Sequence, residues 1–122
     1  MTMRPLAIVI GSIAHDRLHA ALAIANSSAA LGRTVSVCFH AEAVRAVDPE
    51  FQWFEDQRFT AGGLPAIHDL LGMAIEMGVD VVVCQSGMAL TGMSMIDLDD
   101  RIHAGGLISF LGHAKDAELL LA

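Results

Sequence analysis

Residues 78–87 read Gly-Val-Asp-Val-Val-Val-Cys-Gln-Ser-Gly, and this stretch decides the fold class of the chain. Its centre, Asp80–Cys84, contains the unbroken apolar run Val81–Cys84 and lacks the apolar-polar alternation of a strand that faces water. Strands of this kind are buried on both faces, as in parallel sheets covered by helices. A helical pattern follows from Ser86 to about Met93. We therefore predict a strand that ends at Cys84 and leads directly into a helix.

The same two patterns alternate along the rest of the chain. Further strands are predicted at Leu6–Ile10, Thr34–Phe39 and Glu118–Leu121, with a weaker one near Arg101–Ala104. Helical periodicity covers Ile13–Leu31, Glu42–Val47, Leu64–Met77 and Gly105–Ala114, whereas residues 48–63 have none and are predicted to form a long loop. This alternation predicts an α/β fold, a three-layer α/β/α sandwich with a mainly parallel sheet of four or five strands. We expect one domain over residues 1–122.

Composition and charge argue against a disordered chain and against a nucleic-acid-binding protein. The chain has 122 residues, 54% of them hydrophobic, so it can bury enough apolar surface to offset its ordering entropy, and disorder is excluded. The net charge is −7 and no basic run occurs, so we expect no binding to nucleic acid. The acidity is uneven, because residues 61–122 hold eight acidic and only two basic residues.

The uncharged stretches of the chain are too short to predict a membrane span. The longest uncharged stretches, Leu18–Gly32 and Val81–Ile96, are both shorter than the ~20 residues that a spanning helix needs. The apolar run Leu6–Ile10 is too short for the core of a signal peptide. Two cysteines do not form a disulfide framework of the kind found in small secreted proteins. We expect a cytoplasmic protein.

Candidate functional residues follow the carboxyl ends of the predicted strands, where open parallel sheets bind their ligands. The first three strands place the following residues at this rim: Gly11, Ser12, His15, Cys38, His40, Cys84, Gln85 and Ser86. Both cysteines therefore belong to the same edge of the predicted sheet.

Cys84 is the strongest candidate for chemistry. It ends a buried strand and precedes a predicted helix start at Gln85-Ser86-Gly87, where free backbone N–H groups favour a thiolate over a thiol. The same groups would hold a persulfide anion, and Ser86 can donate from its hydroxyl. The alternative is that Cys84 is a small buried packing residue. For Cys38 we expect packing, and a resolving role only if the two sulfur atoms come close.

The histidines allow a metal site to be considered. His15 and His19 are four residues apart at the start of a helix, and with His40 and Cys84 they could form a zinc or copper site. No C-x-x-C or H-E-x-x-H motif accompanies them, and each histidine alone is more often solvated or hydrogen-bonded. No G-x-G-x-x-G, P-loop or nucleophile elbow is present either. We predict no bound metal and no cofactor.

An aromatic segment, residues 51–59, lies within the predicted loop. It holds four of the six aromatic residues of the chain, Phe51, Trp53, Phe54 and Phe59. Long loops are either functional or disordered, and large aromatic side chains argue against disorder. The segment could cover the Cys84 thiol, contact another subunit, or close one end of the core.

The order of these elements resembles the DsrE/DsrF/TusD sulfur-relay family. Three regions carry the similarity. The first is the N-terminal strand Leu6-Ala-Ile-Val-Ile-Gly11 with the second strand and its approach, Leu31-Gly-Arg-Thr-Val-Ser-Val37. The second is Gly78-Val-Asp-Val-Val-Val-Cys-Gln-Ser-Gly-Met88, and the third is the ending Ala104-Gly-Gly-Leu-Ile-Ser-Phe-Leu111 with Ala117-Glu-Leu-Leu-Leu121. Cys84-Gln85 with Met88 is most similar to a DsrE-like subgroup of sulfur carriers. The resemblance covers nearly the whole chain except residues 48–63.

The resemblance implies a function for Cys84. It implies a small α/β/α domain that assembles into homo-oligomers, often trimers or hexamers, and a cysteine after the third strand that carries a persulfide. Its implied partners are TusA-like carriers and rhodanese-like donors. We expect Cys84 to pass sulfur between protein thiols, with Gln85, Ser86 and Gly87 stabilising the persulfide and His15 or His40 moving protons. The alternatives are a metal or small-ligand binding module at the His15, His40 and Cys84 rim, or a structural subunit.

Overall fold

The computed structural model describes residues 3–122, apart from the side chain of Asp97. It contains one five-stranded sheet in the order β4-β3-β2-β1-β5, and every neighbouring pair is parallel. The strands are β1 (Leu6–Ile10), β2 (Val35–Phe39), β3 (Asp80–Cys84), β4 (His103–Gly105) and β5 (Glu118–Leu121). The predicted α/β fold with a parallel sheet is confirmed, with five strands.

Five α-helices and two 3₁₀ helices connect the strands. The α-helices are α1 (His15–Ala30), α2 (Asp56–Ala61), α3 (Ile67–Glu76), α4 (Gln85–Thr91) and α5 (Leu107–His113). The 3₁₀ helices span Ala41–Val47, named here the 41–47 helix, and Met95–Asp97. Within the described residues no helix is long and apolar enough to cross a membrane.

The two faces of the sheet are covered unequally. The chain moves across the sheet from β1 to β4, and then returns past β1 to place β5 at the opposite edge. Because parallel crossover connections are right-handed, the returning connection must cross the face opposite to that of the earlier ones. Accordingly α5 packs through Phe110 on Ala7 and Cys38, the core of this second face. A short helix is thus the whole helical layer there.

The larger core lies on the first face. Alternate residues of the strands, such as Ile8, Val37 and Val83, pack with Leu18 and Leu22 of α1 and with the 41–47 helix and α3. Fully burying a leucine or valine side chain contributes roughly 1.5–3 kcal/mol relative to leaving it exposed, so this cluster dominates the stability. It also fixes the position of the carboxyl ends of β1, β2 and β3.

Residues 48–63 differ from the sequence expectation. The predicted loop contains the helix α2, which has only six residues and therefore too little periodicity to be recognised. Long-range contacts hold it, because the Asp56 carboxylate accepts hydrogen bonds from the His15 ring and from the Ile67 backbone N–H. The next helix begins at Ile67 rather than Leu64, since a residue before proline disfavours helical backbone and Pro65 follows Leu64.

Candidate functional site

Cys84 lies at the junction between β3 and α4. It is the last residue of the strand and the N-cap of the helix, with extended backbone angles of φ −75° and ψ 136°. Only 2% of its surface is exposed, because it packs against the core of the first face. The sequence placed Cys84 at this junction, and the structure has it there.

Three donors surround the Cys84 sulfur. The backbone N–H of Gly87 donates to Sγ at 3.1 Å, and the backbone N–H of Ala41 donates to it at 3.3 Å. The Ser86 hydroxyl lies 3.5 Å from the same atom. Two backbone groups from different elements, α4 and the 41–47 helix, therefore point at one sulfur. This arrangement is a binding site for a negatively charged atom.

The donors change the ionisation of the thiol. Burial alone raises the pKa of Cys84, because it disfavours the charged form. The hydrogen bonds from Ser86, Ala41 and Gly87 act in the opposite direction and outweigh burial, so the pKa lies below the ordinary cysteine value. A thiolate is the nucleophilic form of cysteine, and this site favours it.

Gly87 allows the close packing around the sulfur. A Cβ atom added there would lie 2.7 Å from the Ala41 carbonyl oxygen, 2.8 Å from Val44 Cγ1 and 2.9 Å from Cys84 Sγ. Real Cβ atoms do not approach other atoms so closely, and the carbonyl belongs to a backbone that cannot yield easily. Any larger residue at position 87 would displace the 41–47 helix, the Cys84 sulfur or both. The sequence indicated Gly87 as part of this site.

Ala41 is a contributor that the sequence did not reveal. Its φ is +54°, and among the described residues it is the one non-glycine residue in the left-handed region. Such a conformation costs an alanine roughly 1–2 kcal/mol, and strained backbone of this kind is concentrated at functional sites. This backbone conformation accompanies the Ala41 N–H donation to Cys84. Since the contribution comes from the backbone, no feature of the alanine side chain could have indicated it.

Cys38 is in a different chemical state. It is fully buried on the second face, packed with Ala7 and Phe110, and no disulfide joins it to Cys84. Burial, together with the charge of Cys84, raises the pKa of Cys38 to about 11, so it stays a thiol. In the sheet Cys38 pairs with Val82, two residues before Cys84. Cys38 belongs to the core of the second face, whereas Cys84 packs with the core of the first face.

The remaining rim residues do not contact the sulfur. The His15 Nε2 is 2.7 Å from Asp56 Oδ1, and the His19 Nε2 is 2.9 Å from the Pro65 carbonyl oxygen. His40 directly precedes Ala41, and its Nδ1 is buried without a hydrogen-bond partner. Gln85 is exposed and makes no side-chain hydrogen bond to Cys84.

The structure does not gather these side chains into a metal centre. Across residues 3–122, with the Asp97 side chain left aside, no three histidine, cysteine, aspartate or glutamate side chains are arranged to hold a metal ion. The ring nitrogens that the metal hypothesis needs on α1 face Asp56 and Pro65 instead.

The aromatic segment packs on the beginning of α1. Phe59 lies against the rings of His15 and His19, with centroid distances of 4.5 and 4.6 Å. Trp53 is 8% exposed and belongs to the first core, whereas Phe54 is 83% exposed. Of the three roles considered, closing one end of the core is the one these contacts describe.

The sequence model of the DsrE/DsrF-like family matches residues 4–122. The chain belongs to this family. The match covers the aromatic segment as well, which extends the resemblance beyond the motifs around Cys84.

Similar solved structures agree on the fold. The YchN protein from E. coli is 19% identical with a TM-score of 0.72, over 98% of this chain and 100% of that one. MTH1491, a protein of unknown function from Methanobacterium thermoautotrophicum, is 11% identical with a TM-score of 0.74, over 98% and 100% of the two chains. BT1422 from Bacteroides thetaiotaomicron, also of unknown function, is 14% identical with a TM-score of 0.73, over 98% and 95%. A search of curated proteins gave no match.

Proposed function

We propose that this DsrE-like protein is a sulfur carrier in which Cys84 receives a sulfur atom from a donor persulfide and passes it to an acceptor thiol. The observation that carries the proposal is the hydrogen bonding of Cys84 Sγ by the Gly87 and Ala41 N–H groups. These donors lower the pKa of a thiol that burial alone would keep neutral. Capping of α4 accounts for the Gly87 bond, whereas the Ala41 bond comes from a separate element through a residue with positive φ.

The transfer step is a simple displacement. The Cys84 thiolate attacks the outer sulfur of a donor R–S–SH, the S–S bond of the donor breaks, and R–S⁻ leaves. Cys84 then holds the sulfur as Cys84–S–SH, and attack of an acceptor thiolate on this outer sulfur regenerates the Cys84 thiolate. No oxidant or reductant is consumed. Backbone N–H groups that stabilise the thiolate also stabilise it as the leaving group in the second step.

Separation from Cys38 supports storage of a persulfide. A nearby thiolate would attack Cys84–S–SH and release hydrosulfide, leaving a disulfide. Cys38 is a fully buried thiol whose pKa is raised to about 11, and it packs in the core of the second face, whereas Cys84 packs in that of the first. The persulfide would therefore persist until an external acceptor arrives.

The assembly and its surroundings are part of the proposal. Several large apolar side chains near the thinly covered second face are exposed, namely Ile108 at 92%, Leu121 at 78% and Leu119 at 61%. Covering them in a homo-oligomer, a trimer or hexamer as in related carriers, would remove this surface from water. TusA-like and rhodanese-like proteins are the proposed partners. The proposed location is the cytoplasm, whose reducing conditions keep free thiols available.

The proposal is tested by loading the protein with sulfur. Purified protein is incubated with a small-molecule persulfide and analysed by intact mass spectrometry. We expect an adduct with the mass of one sulfur atom, which is lost again after addition of a thiol acceptor. Cys38→Ala is the matched control and should load normally, whereas Cys84→Ser should not load. Absence of the adduct on the wild type, or an equal adduct on Cys84→Ser, would overturn the proposal in favour of a structural role.

A further inference from the structure

Two cavities meet at Pro49 on the first face of the molecule. The first, about 460 Å³, lies between residues 48–50 and residues 91–94, with Leu98 beside them. The second, about 210 Å³, lies between α3 and the residues Val47, Pro49 and Ile102. Because Pro49 lines both, they are treated as one depression, named here the Pro49 groove.

The first cavity has the chemistry of a site for a long cationic side chain. Asp48 and Glu50 bring two carboxylates, and neither forms a salt bridge within the described part of the chain. Met93 and Leu98 supply apolar surface in the same cavity. Lysine and arginine bury an aliphatic stem on apolar surface while their charged end meets polar groups, so they complement both features.

The second cavity is lined mainly by apolar side chains. Its walls include Val47, Leu71, Ile75 and Ile102. His68 also lines it, and the Nε2 atom of that ring is buried without a hydrogen-bond partner. Asp99 also lines this cavity, but its carboxylate is paired with Arg101, so the remaining walls favour an apolar side chain such as leucine or phenylalanine.

Gly72 is the observation that points to an external occupant. It lies in the interior of α3 and lines the second cavity. Glycine in a helix interior costs roughly 0.5–1 kcal/mol relative to alanine. A Cβ atom at this position would meet no atom of the chain within 4 Å, so internal packing does not require the glycine. Its effect is to keep the groove open.

The groove is connected to the thiolate site through its walls. The turn at residues 48–50 follows the 41–47 helix, which supplies the Ala41 N–H to Cys84. The opposite wall, residues 91–94, follows α4, which begins directly after Cys84. Seven residues of helix span about 10 Å. A protein seated in the groove would thus contact the ends of the two elements that supply the N–H donors to Cys84.

We propose that the Pro49 groove is the docking site of the protein that exchanges sulfur with Cys84. It takes an extended segment of this partner, with a lysine or arginine side chain in the first cavity and an apolar side chain in the second. The net charge of −7 favours a basic partner of this kind. The identity of the partner as a sulfur-exchange protein rests on the proposed function, whereas the chemistry of the segment rests on the groove alone.

The test uses a short peptide as the probe. Acetyl-Lys-Gly-Phe-amide presents its cationic and apolar side chains on one side of an extended chain. It is titrated into the ¹⁵N-labelled full chain and followed by NMR. We expect saturable shifts of the Glu50, Gly72 and Gly92 amides, and at least tenfold weaker binding of acetyl-Glu-Gly-Phe-amide and acetyl-Lys-Gly-Ser-amide. Shifts elsewhere, or equal binding of the three peptides, would overturn the proposal.

Two variants test the cavities separately. Gly72→Leu places a side chain in the second cavity, where its Cβ would meet no atom within 4 Å, and Glu50→Lys reverses a charge in the first. Each should weaken peptide binding at least tenfold. Ala20→Leu and Asp16→Lys make the same changes at exposed positions of α1 and should bind normally. Thermal unfolding checks that all four variants fold. Unchanged binding in both groove variants would overturn the proposal.

Cys84→Ser separates this inference from the proposed function. The variant should bind the peptide as the wild type does, since the groove does not use the sulfur. Sulfur loading without peptide binding would overturn only the docking site. Peptide binding without sulfur loading would leave the groove in place and overturn only the sulfur-exchange role. Concentration-dependent shifts of the groove amides without peptide would identify a second copy as the occupant and overturn the proposal.

Discussion

The substitution Gly87→Ala tests the arrangement around Cys84 most directly. The new Cβ would lie 2.7 Å from the Ala41 carbonyl oxygen and 2.9 Å from Cys84 Sγ, so the 41–47 helix, the sulfur or both must move. Overpacking of this kind costs about 1–3 kcal/mol of folding stability. We expect a lower thermal unfolding midpoint than that of the wild type.

Gly87→Ala should change the ionisation of Cys84 more than it changes the folding stability. A hydrogen bond to a charged group contributes about 1.5–3 kcal/mol, and about 1.4 kcal/mol corresponds to tenfold in an ionisation equilibrium. Losing the N–H donor from Gly87 or Ala41 would thus disfavour ionisation by about tenfold or more. The pKa of Cys84 should rise back toward the ordinary cysteine value.

The assay is the rate of alkylation of Cys84 as a function of pH, in a Cys38→Ala background. The midpoint of the profile reports ionisation, and its plateau reports access of the reagent to the sulfur. Gly112→Ala is the matched control, because a Cβ there would meet nothing within 4 Å. If Gly87→Ala retained the wild-type midpoint and thermal stability, the donors would not control the thiolate and the reasoning would be refuted.

Two further predictions concern the same sulfur. Ala41→Gly keeps the N–H donor and removes the strain of the positive φ, so the free energy of unfolding should rise by up to about 1 kcal/mol. The pH midpoint of Cys84 alkylation should stay unchanged, and a shifted midpoint would contradict this prediction. The pKa of Cys84 is lower in the folded than in the unfolded state, so ionisation of this thiol stabilises the fold. The stabilisation is fully present above the cysteine pKa of the unfolded chain, and it is lost as the pH falls through the pKa of the folded state. The difference in unfolding free energy between wild type and Cys84→Ser should therefore grow with rising pH, and a constant difference would contradict the prediction.

Local sequence determined the strands most accurately. Leu6–Ile10, Asp80–Cys84 and Glu118–Leu121 were predicted with the bounds that the structure has. An apolar run is a strong strand signal, and β1 and β3 are buried as such runs predict, whereas the edge strand β5 leaves Leu119 and Leu121 exposed. The helix α2 gave no such signal, since its position depends on the contacts of Asp56 with His15 and Ile67, which are distant in the sequence.

The residues of the candidate site also divide into those that local sequence predicts and those that it does not. The sequence identified Cys84, Ser86 and Gly87, because a strand end followed by a helix start is a local pattern with known N–H geometry. Ala41 could not be found, since it is 43 residues from Cys84 and contributes only a backbone N–H. The sequence also gave no means of choosing between thiolate and packing residue, because burial and hydrogen bonding act on the pKa in opposite directions.

The sequence by itself thus determined a parallel α/β domain with a cysteine at the carboxyl-terminal edge of its sheet. The tertiary structure decided which donors surround that cysteine, the unequal covering of the two faces and the existence of the Pro49 groove. The physical reason is that periodicity and apolar runs are properties of neighbouring residues. A donor directed at a sulfur atom, or a groove between two helices, requires several segments to be placed together, and the packed core on the first face is what places them.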